Sequence, residues 1–228
     1  MKQARFSAGL FAFLRELAAN NDKLWFAANR ERYATLVKEP MLAFIDVFAE
    51  HLAAVDPNYL ADPRPVGGSM FRIHRDVRFS RDKSPYKTAA AAHFRHRQSS
   101  RDVHGCGFYL HLEPGNCFAG AGIWHPDGDT LAKIRAAIDA DGKHWEATLR
   151  GGIELSGDML TRVPSGYPAD HQYAVDLRRK DFVSLVEIAE RQVLAANFPQ
   201  ALASIYRALL PLNVFLCGAL ELPGGAPR

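Results

Sequence analysis

The first 55 residues have an apolar pattern with helical periodicity. The apolar side chains between residues 7 and 19 include Leu10, Phe11, Phe13, Leu14 and Leu17. Their spacing predicts an amphipathic helix with Ser7 as its N-cap. The sequence "NND" at residues 20–22 predicts a break that also caps a second helix, which begins "KLWFAANRERYATLVKE". Pro40 should interrupt or kink that helix, and "MLAFIDVFAEHLAAV" predicts a third helix that ends near Val55.

The middle of the chain alternates between apolar and polar positions instead. "SMFRIHR" (residues 69–75) and "AAAAHFRHR" (residues 89–97) predict two strands. Residues 105–124, "GCGFYLHLEPGNCFAGAGIW", predict a hairpin with its turn at "EPGN". In its first strand the residues Phe108, Leu110 and Leu112 alternate with Tyr109, His111 and Glu113. Gly120 and Gly122 should leave shallow gaps on one face, where another backbone or a ligand could approach closely.

Helical spacing returns in the last hundred residues. The predicted helices are "TLAKIRAAIDADG", "KHWEATLRG", "FVSLVEIAERQVLA" and "FPQALASIYRALLPLNVFLCGAL". The order of helices, antiparallel strands and helices indicates the α+β class, with a central antiparallel sheet of about four strands on which helical N- and C-terminal parts pack. We expect a single domain over residues 1–228, ordered over about residues 6–220, with a flexible tail at residues 221–228.

The composition is typical of a soluble globular protein, with 48% hydrophobic and 23% charged residues in a chain of 228. The most hydrophobic run, residues 209–220, is too short to span a bilayer, so no membrane association is predicted. Cys106, Cys117 and Cys217 form no CxxC pair. This pattern favours reduced thiols and a cytoplasmic location.

Positive charge is concentrated in one part of the chain. Residues 72–101 contain nine Lys or Arg residues and two Asp residues, a net charge of +7. The other residues contain 19 cations and 23 anions, a net charge of −4. A local excess of this size favours an anion as the partner. We call residues 72–88, "RIHRDVRFSRDKSPYKT", the cationic segment.

The cationic segment predicts a binding site for a small phosphate- or carboxylate-bearing ligand, because guanidinium and ammonium groups donate hydrogen bonds to such oxygens. The predicted ligand-binding residues are Arg72, Arg75, Arg78, Lys83 and Lys87, and the predicted orienting residues are Asp76 and Asp82. On a straight strand Arg75 would face away from Arg72 and Arg78. The cations therefore converge only if the chain bends at "FSRDKSPYK", where Pro85 and turn-forming residues favour a bend.

The same residues fit other functions. The two acids could pair with the cations in a structural network, or the segment could be a solvated loop. Interleaved aromatic residues could also make the segment a nucleic-acid-binding surface; they are Phe71, Phe79, Tyr86 and Phe94. A non-catalytic interaction protein is a further alternative. The oligomeric state is left open by the sequence.

If the protein is an enzyme, two residues are candidates for proton transfer. Tyr86 lies between Lys83 and Lys87, whose positive charge favours its phenolate, and we interpret it as the proton donor. His111 is the second candidate, as a base, and Glu113 is the alternative for that role if these side chains face the arginines. No metal-ligand spacing, phosphate-binding loop or dinucleotide fingerprint occurs in the sequence, so we predict no metal and no cofactor.

Several stretches of the chain resemble one conserved family. They are "NNDKLWFAANRERY", "FRIHRDVRFSRDKSPYKT", "GFYLHLEPGNCFAGAGIWHPDGDTLAKIRAAI" and "VPSGYPADHQY". On these motifs the chain resembles, over about residues 6–220, the family called domain of unknown function 2461. The late loop departs from the family pattern, with Ser165 and Gln172 where a basic residue and a proline are frequent. The resemblance implies membership of the family and no particular activity.

Overall fold

The computed structural model describes residues 5–78, 80–99 and 105–223, and it confirms the α+β class. The N-terminal helices are α1 (Ala8–Ala19), α2 (Lys23–Ala28), α3 (Arg30–Tyr33) and α4 (Glu39–Ala53). A π-helical turn at Ala34–Lys38 precedes α4. Of the predicted flexible tail, residues 224–228 lie outside the described residues.

Asp22 and Pro40 set boundaries of these helices. The Asp22 carboxylate accepts hydrogen bonds from the amides of Leu24 and Trp25 at 2.8 and 2.9 Å, which caps α2 as predicted. Pro40 is the second residue of α4, and it has no N–H to donate to the helical turn that precedes it. The predicted interruption takes the form of the π-helical turn that precedes Pro40.

Six antiparallel strands form one sheet within the described residues, where the sequence predicted about four. They are β1 (Tyr59–Leu60), β2 (Ala90–His96), β3 (Gly107–Leu112), β4 (Cys117–Ile123), β5 (Leu155–Ser156) and β6 (Phe182–Ile188). Their order in the sheet is β1-β2-β3-β4-β6-β5. The predicted hairpin is β3–β4, in which Tyr109 pairs with Gly120 and His111 with Phe118.

The predicted strand at residues 69–75 is irregular in the structure. Met70 forms an isolated bridge with Ala92 of β2, and His74 forms one with Tyr86. The alternation of Phe71 and Ile73 with polar residues therefore indicated an extended chain, but this chain pairs at single positions only.

The predicted helix over "FVSLVEIAERQVLA" is wrong for its first half, because these residues form β6, and only Glu190–Val193 is helical (α8). Phe182 and Ile188 are buried on one face of the strand, while Val183 and Leu185 line a cavity on the other. Both faces therefore carry apolar residues. Such a strand lacks the apolar–polar alternation that distinguishes a strand from a helix in a sequence.

Helices cover one face of the sheet. The C-terminal helices are α5 (Gly128–Ala140), α6 (Gly142–Leu149), α7 (Ala174–Leu177) and α9 (Phe198–Ala219). Tyr206 of α9 stacks on Phe108 of β3 with 4.6 Å between ring centroids, and Phe48 of α4 lies 5.2 Å from Phe94 of β2. All four rings are buried. Helices α4 and α9 therefore bury the face of the sheet to which Phe94 and Phe108 point.

Helix α9 is long and apolar enough, by length and composition alone, to cross a membrane. Half of its most apolar window is buried inside the protein, and Leu202, Leu212 and Leu216 are fully buried. A core helix of a globular domain has the same properties. The apolar run at residues 209–220 forms only the second half of this helix.

Candidate functional site

The face of the sheet opposite α4 and α9 lines a cavity of about 1000 Å³, which we call the open-face cavity. The register places His93 beside Tyr109, and His111 beside Phe118, on its floor. Its walls include Asn21, Phe71, Arg75, Lys87, Trp124 and Leu185. This volume lies at the upper end of the range for small-molecule sites.

The cationic segment turns back on itself at this cavity. The Arg75 amide donates to the Pro85 carbonyl at 2.9 Å, and the Lys87 amide donates to the Ile73 carbonyl at 2.8 Å. The chain therefore bends between residues 75 and 85. Such a bend is the condition that the sequence set for the cations to converge. We call residues 73–75 and 85–87 the base of the segment and residues 76–84 its tip.

The bend brings two of the five predicted ligand-binding residues to the cavity. Arg75 and Lys87, at the base, line it. Arg72, Arg78 and Lys83 are exposed and are not among its lining residues. The Lys83 ammonium donates instead to a backbone carbonyl of the tip at 2.9 Å.

Each of the two predicted orienting carboxylates pairs with one arginine. Asp76 accepts hydrogen bonds from the Arg78 guanidinium at 2.7 and 2.9 Å, which lower the pKa of Asp76 to about 2. Asp82 forms an ion pair with Arg75. Hydrogen bonds from Ser84, and then the charge and hydrogen bond of Arg75, hold the pKa of Asp82 below its ordinary value. Asp82 thereby positions Arg75 at the cavity.

Lys87 differs from Arg75 because no described residue provides an acidic partner for its ammonium. The ammonium lies 4.8 Å from the centroid of the Phe71 ring, in a cation–π contact. Burial, and the positive charge of Arg72, lower the pKa of Lys87. A half-buried ammonium without a counter-charge is unfavourable, so an anionic ligand would stabilise it.

Tyr86, the predicted proton donor, packs in the wall of the cavity. Its ring is buried and stacks on Phe26 with 4.0 Å between centroids. The Asn21 side chain donates to the Tyr86 carbonyl at 2.9 Å and accepts from the Tyr86 amide at 3.1 Å. Asn21 therefore connects the end of α1 to the base of the cationic segment. The role of Tyr86 as a proton donor stays a prediction.

His111, the second predicted catalytic residue, lies in the middle of a hydrogen-bonded row. Tyr109, His111 and Glu113 alternate along β3 and its extension, so they share one face. The Tyr109 hydroxyl lies 3.1 Å from His111 Nδ1, and His111 Nε2 lies 3.3 Å from Glu113 Oε2. Thr88, which follows Lys87, donates its hydroxyl to Glu113 Oε1 at 2.6 Å. The row therefore connects the cavity floor to the base of the cationic segment.

The charge on Glu113 sets the direction of these hydrogen bonds. Burial acts against the charged carboxylate, but hydrogen bonds from Thr88, Asn116 and His111 outweigh it and lower the pKa of Glu113. A carboxylate can only accept hydrogen bonds. In the neutral imidazole of His111 the proton therefore lies on Nε2, and Nδ1 accepts from the Tyr109 hydroxyl.

We expect Tyr33 and Tyr109 to make the protein less stable at alkaline pH. Burial raises the pKa of both phenols from 10 to about 12, with a further contribution at Tyr109 from the charge of Glu113. Their contribution to stability is retained below pH 10 and lost as the pH rises towards 12, because the unfolded chain releases these protons first. In urea denaturation over this range we expect the free energy of unfolding to fall by up to about 2 kcal/mol per tyrosine. An equal fall in the double variant Tyr33→Phe, Tyr109→Phe would contradict this.

Trp124 lines the open-face cavity and packs against His125. Trp124 is 60% exposed, and its ring centroid lies 4.1 Å from that of His125. His125 has a φ of 50°, which is uncommon for a residue other than glycine. The buried carboxylate of Asp181 stabilises this conformation by accepting from the His125 amide at 2.8 Å. The structure thus presents an aromatic surface at the edge of the cavity, suited to an apolar or planar group.

Gly120 and Gly122 line the cavity, but β6 occupies the space at both positions. A Cβ atom at Gly120 would lie 2.7 Å from Cδ2 of Leu185, and one at Gly122 would lie 1.9 Å from the Phe182 carbonyl oxygen. The close approach predicted for these glycines is therefore made by a neighbouring strand of the same chain.

Sequence patterns did not single out Thr88 and Tyr109 as site residues. The alternation along β3 places Tyr109 on the face of His111, so this signal was present in the sequence. Thr88 has no such signal, because its partner Glu113 is 25 residues away. Across residues 5–78, 80–99 and 105–223, no group of three or more His, Cys, Asp or Glu side chains could hold a metal ion.

Comparison with known proteins places the chain in a family. No curated protein and no solved structure matches it. A family model described as a conserved hypothetical protein (DUF2461) matches residues 9–215, which include the cationic segment and all but the ends of the chain. The resemblance noted in the sequence is thereby confirmed, and the chain belongs to the DUF2461 family of conserved hypothetical proteins.

Proposed function

We propose that this protein binds a small amphipathic anion in the open-face cavity, with a phosphate or carboxylate group at Lys87 and Arg75 and an apolar body over the sheet. The observation that carries the proposal is the ammonium of Lys87, which lies at the cavity, 4.8 Å from the Phe71 ring centroid, with no acidic partner among the described residues. Arg75 supports it, because a guanidinium has five N–H donors and Asp82 uses only part of them.

The remaining walls support an apolar or aromatic body for the ligand. The ring centroids of Phe71 and Tyr109 are 6.0 Å apart, and His111 stacks on Phe118 at 4.6 Å. Trp124 adds a further aromatic side chain to the cavity lining. Apolar walls with a few polar groups at defined positions are typical of small-ligand sites. A ligand with one anionic end and one apolar end would match both parts of the cavity.

Binding of nucleic acid is the weaker alternative, because the described aromatic residues of the basic region do not form an exposed stacking surface. Phe94 and Tyr86 are buried, and Phe71 lines the cavity. Phe79 lies outside the described residues. At the tip of the segment the ion pair of Arg78 also reduces the local positive charge. Single-strand binding relies on exposed rings beside free cations.

Titration with phenyl phosphate, followed by isothermal titration calorimetry, tests the proposal. We expect saturable binding to one site, with a Kd of about 1 mM or lower. Inorganic phosphate has only the anionic half and benzyl alcohol only the apolar half, so each should bind at least about tenfold more weakly.

Two results would count against this function. The first is the absence of saturable binding for both phenyl phosphate and benzoate, which would mean that the cavity does not hold an amphipathic anion. Salt-sensitive binding of a short single-stranded oligonucleotide that phenyl phosphate does not displace would favour the nucleic-acid alternative instead.

A further inference from the structure

The hydrogen-bonded row on β3 has the parts that general acid–base catalysis requires. The Tyr109 hydroxyl donates to His111 Nδ1 at 3.1 Å, and His111 Nε2 lies 3.3 Å from the carboxylate of Glu113. These are a proton-bearing group, a base within hydrogen-bond reach and a third group that orients the base. Tyr109 also lines the open-face cavity. A ligand in the cavity can therefore meet the Tyr109 end of the row.

We propose that Tyr109 is a catalytic residue that takes a proton from a carbon acid bound in the open-face cavity, with His111 as the base that receives the Tyr109 proton and Glu113 as a positioning residue. This inference rests on the proposed function, because Lys87 and Arg75 hold the anionic group of the substrate. The substrate class is a small carboxylate or phosphate compound with a C–H bond next to a carbonyl group.

The step transfers two protons. The C–H bond of the substrate breaks, and its electron pair stays on the substrate as an enolate. The substrate proton forms a new O–H bond with the Tyr109 oxygen, while the original Tyr109 proton moves to His111 Nδ1. Burial and the charge of Glu113 raise the pKa of Tyr109 to about 12, so the two transfers occur together and no free phenolate forms. Reverse transfer returns a proton to the substrate, and no oxidant or reductant is needed.

The charges around the row favour this step. The imidazolium formed at His111 lies beside the Glu113 carboxylate, which stabilises it. The enolate gains negative charge in a cavity that contains the Lys87 ammonium, and a pre-positioned cation lowers the energy of such a charge. Thr88 connects the Lys87 ammonium site to the hydrogen-bonded row on β3, because it follows Lys87 in the chain and donates to Glu113 at 2.6 Å.

A carbon acid is the substrate that gains most from this arrangement. Protons on the oxygen and nitrogen atoms of small molecules exchange with water without an enzyme, whereas C–H protons beside a carbonyl group transfer slowly. General acid–base catalysis by one positioned side chain contributes about 10²- to 10⁴-fold in rate.

The test measures deuterium incorporation into phenylpyruvate, an aromatic 2-oxo acid, by proton NMR in D₂O. We expect the methylene signal to disappear at a rate proportional to protein concentration. Tyr109→Phe should lower the protein-dependent rate at least about 100-fold, with the affinity for phenyl phosphate within about threefold of the original. Tyr167→Phe, a matched change outside the cavity, should leave the rate unaltered.

The positioning residue Glu113 has a readout of its own. Glu113→Gln should lower the rate by about tenfold and move the acid limb of the pH–rate profile to lower pH, because a neutral amide no longer stabilises the imidazolium. A purely structural role of Glu113 would reduce the amount of folded protein without moving the profile. The other charged or titratable side chains at the cavity that could affect the profile are Arg75, Asp82, Tyr86, Lys87 and His93.

The outcomes separate this inference from the proposed function. If phenyl phosphate and phenylpyruvate bind but the protein does not accelerate deuterium incorporation, the inference is overturned and the proposed function stands. If neither compound binds, both are wrong. A Tyr109→Phe variant that keeps the full exchange rate, or a loss confined to Tyr86→Phe, overturns the assignment of Tyr109.

Discussion

Lys87→Met is expected to weaken the binding of phenyl phosphate by about tenfold to a hundredfold while the melting temperature stays the same or rises. A hydrogen bond to a charged group contributes about 1.5–3 kcal/mol, and each 1.4 kcal/mol changes affinity tenfold. Methionine keeps an apolar side chain against Phe71, and it removes an ammonium whose pKa is lowered by burial and by Arg72. Calorimetric titration and thermal denaturation of the same variant measure the two effects.

Lys83→Met is the matched control for this prediction. Lys83 carries the same charge in the same segment, but it is exposed at the tip and is not a lining residue of the cavity. The control should therefore bind phenyl phosphate within about twofold of the unchanged protein. Equal losses in the two variants would mean that the ligand responds to the net charge of the segment, and the assignment of Lys87 would then be wrong.

Gly122→Ala is expected to lower the free energy of unfolding by about 3 kcal/mol or more. Gly122 has a φ of 123°, which side-chain-bearing residues rarely adopt. A Cβ atom there would lie 1.9 Å from the carbonyl oxygen of Phe182, so the backbones of β4 and β6 would have to separate. Because β4–β6 pairing joins β6 and β5 to the other four strands of the sheet, separating β4 from β6 would destabilise the whole fold. Urea denaturation followed by circular dichroism measures it.

Gly128→Ala is the control for the effect of an added methyl group. Gly128 is the first residue of α5, and a Cβ atom there would have no neighbour within 4 Å. Its substitution should change stability by less than about 1 kcal/mol, and in the stabilising direction. If Gly122→Ala costs no more than Gly128→Ala, the close contact with Phe182 does not constrain this position.

The structure assigns different surroundings to the two ends of the cationic segment. At the tip, Arg78 pairs with Asp76, and Lys83 donates to the backbone. At the base, Arg75 pairs with Asp82 of the tip beside the cavity, and Lys87 has no acidic partner among the residues described. A structural network and the proposed anion site are therefore compatible, because they involve different cations of the segment.

The sequence predicted the face on which some cavity residues lie but missed others. Alternation in "GFYLHLE" placed Tyr109, His111 and Glu113 on one face, because side chains of a strand repeat every two residues. The same criterion failed for β6, whose Val183 and Leu185 line the cavity while Phe182 is in the core. Alternation of apolar and polar residues reveals a strand only when one of its faces is exposed to solvent. Strand β6 has apolar residues on both faces.

The sequence by itself determined the α+β class, the β3–β4 hairpin and the location of the excess positive charge. Each of these follows from local periodicity, turn residues or a count of charges. Only the tertiary structure decided which cations meet the cavity and which side chains complete the row at His111. Those outcomes depend on contacts such as Asn21 with Tyr86, 65 residues apart, and Thr88 with Glu113, 25 residues apart. Local pattern carries no information about such pairs, because they form only when the packed backbone brings distant segments together.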